Sequence, residues 1–303
     1  MIIRKIAIDD VEYPKNLRNI HNPPRQLYVN GAFAESDGVA IAVVGSRRAS
    51  IYGLQMAEQF GYELAERGVT VVSGMARGID SAAHRGALKA KGRTIAVMGS
   101  GHDVIYPPEN ADLYKEIAAT GAVVTEYEGN AEPSPWNFPQ RNRIISGLSL
   151  GVLVVEAARN SGALITADLA AEQGREVFAL PGKISSATSS GTNELIKDGA
   201  RLVQTVDDIL EELSITGIKP LDGAARARAD EKISKMTDAY IYNSLTGDER
   251  KVYKILSDEP VYIDDILERT GLDPSKASKV LLGLELKKLI KELRGKQFIR
   301  KEN

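Results

Sequence analysis

The 303-residue chain carries 39 Lys and Arg against 41 Asp and Glu, a formal net charge of −2, and contains no cysteine. Disulfides, thiolate metal sites and cysteine nucleophiles are thereby excluded, and any nucleic-acid binding must come from local clusters of charge rather than from the total. His21, His84 and His102 lack metal-ligand spacing, and no apolar run reaches the ~18 residues of a membrane span. The charged start, Met1 to Ile6, has no signal-peptide core, so the sequence reads as a cytoplasmic protein that needs no cofactor.

The length suits one large domain followed by a small one. Residues 1–38 read as a leader with proline turns and one short strand at 26–30, too poor in apolar residues for its own core and expected to pack on the main domain. From 39 to 213 strands and helices alternate. Strands are expected at 39–44, 69–73, 93–98, 122–125, 150–155, 176–180 and 201–203, and helices at 51–67, 79–91, 110–120, 139–148, 163–174, 191–198 and 206–213. The fold class is therefore α/β, an extended Rossmann-like parallel sheet covered on both faces, with ligands at the carboxyl ends of the strands. Residues 214–246, with Gly217, Pro220 and Gly223, read as a linker. Residues 247–303 resume a helical period, with helices at 249–256, 263–270 and 273–289, and a short hairpin around Arg294, Gly295 and Lys296. Three helices and a hairpin predict a small C-terminal winged-helix domain. Lys276, Lys279, Arg294 and Lys296 suit DNA; Asp258, Glu259, Asp264, Asp265 and Glu268 suit a protein partner instead.

The turn after the first strand of the alternation is Gly45-Ser46-Arg47-Arg48, followed by Ser50 as N-cap of the next helix. A helix start at the carboxyl edge of a sheet offers backbone N–H groups and a positive dipole end to an anion. Neither G-x-G-x-x-G nor a P-loop is present, and the second strand ends in Ser73-Gly74 where a dinucleotide site carries a ribose-binding acid. Two arginines in place of bare glycine backbone suit an accessible phosphate chain; as a bland alternative they are solvated loop charges. The other strand-end loops add Arg77, Arg141, Arg143 and Lys183 to the same edge, with glycines such as Gly74 and Gly101 that permit close backbone approach. Arg85, Lys89, Lys91 and Arg93 run along a helix and its exit and read as a solvated face. Trp136 and Phe138 precede Arg141, Asn142 and Arg143. Aromatic faces beside cations are what single-stranded nucleic acid uses, stacking being worth ~1–3 kcal/mol per base. The competing reading makes the two aromatics a hydrophobic staple.

Taken together, Val44-Gly45-Ser46-Arg47, the run Ser73 to His84, Tyr106-Pro107-Pro108-Glu109-Asn110, the run Phe138 to Ser146, the run Ser161 to Ala167, and Pro181-Gly182 followed by Gly191-Thr192-Asn193 resemble the DprA/Smf family of DNA-processing proteins. The resemblance extends from Tyr13 to about Leu213. It implies a non-enzymatic Rossmann-like domain that binds single-stranded DNA without sequence preference, forms a homodimer through that domain, and loads RecA recombinase during DNA uptake in natural transformation. The strand-end loops and the stretch after Trp136 give the expected DNA site as Gly45, Ser46, Arg47, Arg48, Ser50, Gly74, Arg77, Gly101, Phe138, Arg141, Asn142, Arg143 and Lys183. Many members carry an N-terminal helical SAM-like domain, which this chain is expected to lack. The rival reading is an enzyme of the nucleotide phosphoribohydrolase type on a related sheet, with Glu126 or Glu156 as general acid or base. Neither glutamate has a second carboxylate paired with it in sequence, and the Pro-Gly-Gly-x-Gly-Thr turn of those enzymes is absent.

Overall fold

In the computed structural model residues 2–215 and 245–300 are described, apart from 258, 288 and 294. The chain forms two units, Met1–Ala224 and Ala225–Asn303. The first begins with β1 (Ile3–Ala7), α1 (Lys15–Arg18) and β2 (Gln26–Gly31). The alternation then runs β3 (Ala40–Val44), α2 (Ile51–Glu66), β4 (Thr70–Ser73), α3 (Ile79–Lys89), β5 (Thr94–Val97), α4 (Ala111–Thr120), β6 (Ala122–Thr125) and α5 (Asn137–Leu148). It continues with β7 (Gly151–Val154), α6 (Gly162–Glu172), β8 (Glu176–Ala179), α7 (Ser190–Lys197), β9 (Arg201–Leu202) and α8 (Val206–Glu212).

A nine-stranded sheet has the order β1-β2-β6-β5-β4-β3-β7-β8-β9. From β6 to β9 every pairing is parallel, while β2 joins β6 and β1 joins β2 antiparallel. β3 shows why the strands form here: all five of its residues are apolar and buried, as a parallel strand covered on both faces requires. Successive side chains point to opposite faces. Ala40, Ala42 and Val44 pack with Ile144, Ile145 and Leu148 of α5 and with Ala163, Ala167 and Ala170 of α6. Ile41 and Val43 pack with Phe60 and Leu64 of α2, Ile79 and Ala83 of α3, and Val206 and Ile209 of α8.

The first residues enter the sheet as two strands instead of lying on it. The expected strand at 26–30 is β2; β1 is an addition. It is only five residues long and includes Arg4 and Lys5, so its sequence shows no strand period, yet Ile6 is buried in the core. The chain grows from β3 in one direction through β4, β5 and β6, and returns to the other side of β3 for β7, β8 and β9. That reversal opens a crevice at the carboxyl ends of β3 and its neighbours.

The second unit has helices Gly247–Ile255, Ile263–Thr270 and Pro274–Leu286 and a three-stranded antiparallel sheet. Strand Gln297–Arg300 lies between Val261–Tyr262 and Ile290–Leu293. Thr246 and Glu249 form a capping box on the first helix, Asp273 caps the third through the Lys276 amide at 2.9 Å, and Gly271 at φ 67° ends the second. Val252, Ile266, Ala277, Leu281, Leu284 and Phe298 are its buried core. This is the expected winged-helix arrangement. The two-residue strand at 261–262 was too short to read, and the third helix stops at 286, short of the expected 289. Most of the linker expected at 214–246, together with Asp258 and Arg294, lies outside the described residues. No helix among the described residues is long and apolar enough to cross a membrane.

His84 of α3 is fully buried with Nδ1 2.7 Å from Thr94 Oγ1, and burial pushes its pKa from 6.5 down to about 3. Below pH 6.5 the unfolded chain takes up a proton that the folded one refuses, so this contribution to stability is full above 6.5 and is lost as the pH falls towards 3. Urea unfolding at pH 7 and pH 5 is expected to show a steeper acid loss for the natural chain than for His84→Gln, by up to ~1.4 kcal/mol per pH unit. Equal pH slopes would remove His84 as the proton-linked group.

Candidate functional site

At the reversal point β3 runs into the turn Gly45–Ala49, and Ser50 caps α2 by accepting the Gly53 amide at 3.0 Å. The turn is clamped by Glu156, two residues past the end of β7. Its carbonyl accepts from Ser46 N–H at 2.7 Å, its Oε2 from Ser50 N–H at 2.7 Å and its Oε1 from the Thr188 hydroxyl at 2.6 Å. Glu156 is 3% exposed, and Gly53 leaves it room, since a Cβ there would stand 2.4 Å from Oε2. The N-terminus of α2 therefore already holds an anion belonging to the chain. This differs from the sequence reading, which leaves that helix start open to a ligand phosphate. What remains exposed at the turn are the side chains of Arg47 and Arg48.

Arg47 lies across Phe138, its guanidinium 4.7 Å from the ring centroid, within cation–π range. Tyr106 packs on the same ring at 5.6 Å. Phe138 is presented by the first turn of α5, where Asn137 anchors the helix start by donating to the Gly99 carbonyl at 3.1 Å. Arg47, Gly74, Arg77, Tyr106 and Phe138 surround a small recess. A wider crevice continues past Gly45, Ser46 and Arg48 and along Arg141, Asn142 and Ile145 to Ser161, Gly162 and Ala163 at the start of α6. Phe138 is half-buried in this wall and Trp136 is 80% exposed, so the two do not staple the helix to the core.

Arg141 also faces this crevice, but its charge is committed inward. It is 3% exposed, donates through Nη1 to the carbonyls of Gly74, at 2.8 Å, and of Val97, and through Nε to Asn142 Oδ1 at 3.3 Å. Asp80, also buried, accepts from the amides of Gly74 at 3.2 Å and Ala76 at 3.3 Å. Burial leaves the Asp80 carboxyl raised above its ordinary value, the Arg141 charge offsetting part of the rise. Burial lowers Arg141 to about 10, which leaves it charged at neutral pH.

Other predicted residues are placed elsewhere. Arg143 forks onto Glu126, 2.7 Å to each oxygen, and donates to the Asn22 carbonyl at 3.0 Å, fastening α5 to the N-terminal segment. Gly101 is buried where a Cβ would stand 1.8 Å from the Glu128 carbonyl, so it serves loop packing. Ser50 serves the cap, and Lys183 is exposed on the loop after β8 and is not among the residues lining the crevice. Arg77 is exposed but paired with Glu109. The sequence reading assigned no role to Tyr106 and gave Glu156 an acid or base role only in the rival enzyme reading; the folded loops place the one beside Phe138 and the other against the Ser50 amide.

Residues 4–214 match the family model described as DNA recombination-mediator protein A, and residues 241–296 match the DprA winged helix domain. Protein Smf of Escherichia coli is 42% identical over 282 residues, covering 93% of this chain and 73% of that protein. The chain belongs to the DprA/Smf family. DNA processing protein DprA of Bacillus subtilis is 43% identical over 212 residues, 70% of this chain and 71% of the relative. Among solved DprA structures, that from Streptococcus pneumoniae superposes with a TM-score of 0.67 at 43% identity, covering 69% of this chain and 74% of that one. DNA processing protein A of Helicobacter pylori, whose structure concerns its single-stranded DNA binding mode, gives a TM-score of 0.62 at 31% identity over 70% of this chain and 96% of that one.

Removing Arg141 leaves the buried Gly74 and Val97 carbonyls without their donor and withdraws a favourable charge from Asp80. Arg141→Ala is therefore expected to cost ~1–3 kcal/mol for each carbonyl left unsatisfied, in urea unfolding at pH 7. A variant as stable as the natural chain would show that the guanidinium does not hold the crevice wall.

Proposed function

We propose that the crevice at the carboxyl edge binds single-stranded DNA without sequence preference, and that the protein loads RecA recombinase onto such strands during DNA uptake. The observation that carries the reading is the Arg47 guanidinium lying on Phe138 at the mouth of the crevice. It sets an exposed cation for phosphates beside an aromatic ring for a base, the combination that strand binding without base readout requires. Arg48 adds a second exposed cation, and Ile145, Pro133 and Pro139 give the crevice apolar walls. Membership of a family of DNA recombination mediators supports the same reading, as does the single-strand binding of the Helicobacter pylori relative.

In this proposal Gly45 and Ser46 shape the turn, Arg47 and Arg48 hold phosphates, and Asn142 and Gly74 line the wall. Arg141 and Arg143 act by keeping α5 in place. No catalysis is assigned. The two carboxylates of the enzyme reading are engaged, Glu126 by Arg143 and Glu156 by the Ser50 amide and the Thr188 hydroxyl. A cytoplasmic homodimer formed through the Rossmann-like unit completes the reading. Two crevices on one strand make the second engagement intramolecular, which raises avidity by ~10²–10⁴-fold. Size-exclusion light scattering and RecA filament assembly on a single strand test these two parts; a monomer, or unaltered assembly, would remove them.

Arg47→Ala is expected to weaken binding of every oligonucleotide sequence alike. For each phosphate left without its cation, the log–log salt slope should flatten by about 0.7. Affinity unchanged at physiological salt would exclude Arg47 from the site. Phe138→Ala is expected to lose ~1–3 kcal/mol of strand affinity if one base stacks there. The melting temperature should hardly move, since the ring is part of the crevice wall and not of the core. A large thermal destabilisation with little loss of binding would return Phe138 to a packing role.

A further inference from the structure

Arg77 is exposed on the loop between β4 and α3 and borders the recess that also holds Arg47, Tyr106 and Phe138. Its guanidinium is occupied. Glu109 accepts from it with both oxygens, Oε1 from Nε and Oε2 from Nη2, the second at 3.0 Å. This is the two-pronged arrangement that a guanidinium also makes with a phosphate.

The position of Glu109 is built into the fold. It sits in the single turn Pro108–Asn110, and Asn110, 2% exposed, donates to the Met75 carbonyl at 2.8 Å and to Ser81 Oγ at 2.8 Å. The turn bearing the carboxylate is thus stitched to the loop bearing the arginine. The preceding residues supply Tyr106, which packs on Phe138 at 5.6 Å. One segment therefore builds the aromatic wall and also lays a negative charge on a cation at its mouth. The hydrogen bonds from Arg77 hold Glu109 below the usual carboxylate range, so it stays ionised through neutral pH.

We propose that Glu109 occupies the place of a strand phosphate on Arg77, so that a bound strand displaces it and the carboxylate sets the affinity and salt dependence of the site. The inference rests on the reading of the crevice as a single-strand site. Both side chains are about half exposed, 54% and 51%, so the pair is weak enough to exchange. An isolated phosphate gains nothing by replacing one anion with another. A strand already held at Arg47 makes the exchange intramolecularly and seats one more of its phosphates. The carboxylate that is released gathers a cation from solution, which offsets the counterion that the strand gives up. Salt dependence is therefore flatter than the number of arginines at the edge would give.

The test is a titration of full-length protein with a fluorescent oligo-dT across a salt series. Glu109→Gln is expected to bind about two- to five-fold tighter, the worth of one exposed pair, with the log–log salt slope steeper by up to about 0.7. Its melting temperature should match the natural chain, because the pair is exposed. In an Arg77→Ala background the same Glu109→Gln change is expected to bring no gain. Equal or weaker binding by Glu109→Gln overturns the proposal, and so does a gain of undiminished size without Arg77, which would mark general repulsion. A natural chain that binds no strand overturns the single-strand reading and this inference together. A natural chain that binds, with no gain in Glu109→Gln, overturns this inference alone.

Discussion

The buried guanidinium of Arg141 is the point on which the functional edge is fixed. A cation with almost no solvent contact is unstable unless its donors are met and its charge opposed. Here the carbonyls of Gly74 and Val97, at the ends of two neighbouring strands, accept from it, and Asp80 supplies the opposing charge nearby. The arrangement holds the start of α5 against the mouths of β4 and β5. Phe138 precedes Arg141 by three residues, one helical turn, so it lies on the same side of the helix. The half-buried aromatic ring of the crevice is thus held in place by a charge that solvent does not reach.

Glu156 explains why this Rossmann-like turn differs from one that binds a dinucleotide. In those turns the helix start is bare backbone and the ligand's pyrophosphate supplies the anion. In this chain the carboxylate after β7 supplies it from within, and Gly53 makes the space. A phosphate arriving at the edge then meets arginine side chains at the surface, above a helix end where Glu156 already takes the Ser50 amide. Side chains that reach outward suit a long flexible polyanion better than a small ligand that must be enclosed. A similar internal pairing appears at Arg143, where Glu126 takes the charge and the N-terminal segment gains an anchor.

The elements of the first unit were legible because burial on both faces demands unbroken apolar strands, and β3 and β7 supply them. The turn was legible too: Gly45 at the end of an apolar run and Ser50 before a helical period lead directly to the observed cap. What could not be read was the partner of each charge. Arg47, Arg141 and Arg143 look alike in sequence, yet one is exposed on a ring, one is buried on carbonyls and one is paired with a glutamate 17 residues away. Those fates depend on how loops far apart in the chain meet, which neither period nor composition encodes. β1 escaped for a related reason. Its strand character comes from the partner it finds in β2, because only Ile6 of its five residues is fully buried.

The central position of β3 also constrains how the chain can be made. β3 has β4 on one side and β7 on the other, and β7 begins 107 residues after β3 ends, at Gly151 against Val44. During synthesis the first partner is present early, while the second edge of β3 stays unpaired until residue 154 has left the ribosome. That open edge is five apolar residues in a row, with no charge, proline or bulge to discourage pairing with another chain. A nascent chain stalled between β6 and β7 therefore presents an unpaired apolar strand edge of the kind that pairs with other chains. The β6–α5–β7 stretch thus closes the open edge of β3 as well as supplying the helix that lines the crevice.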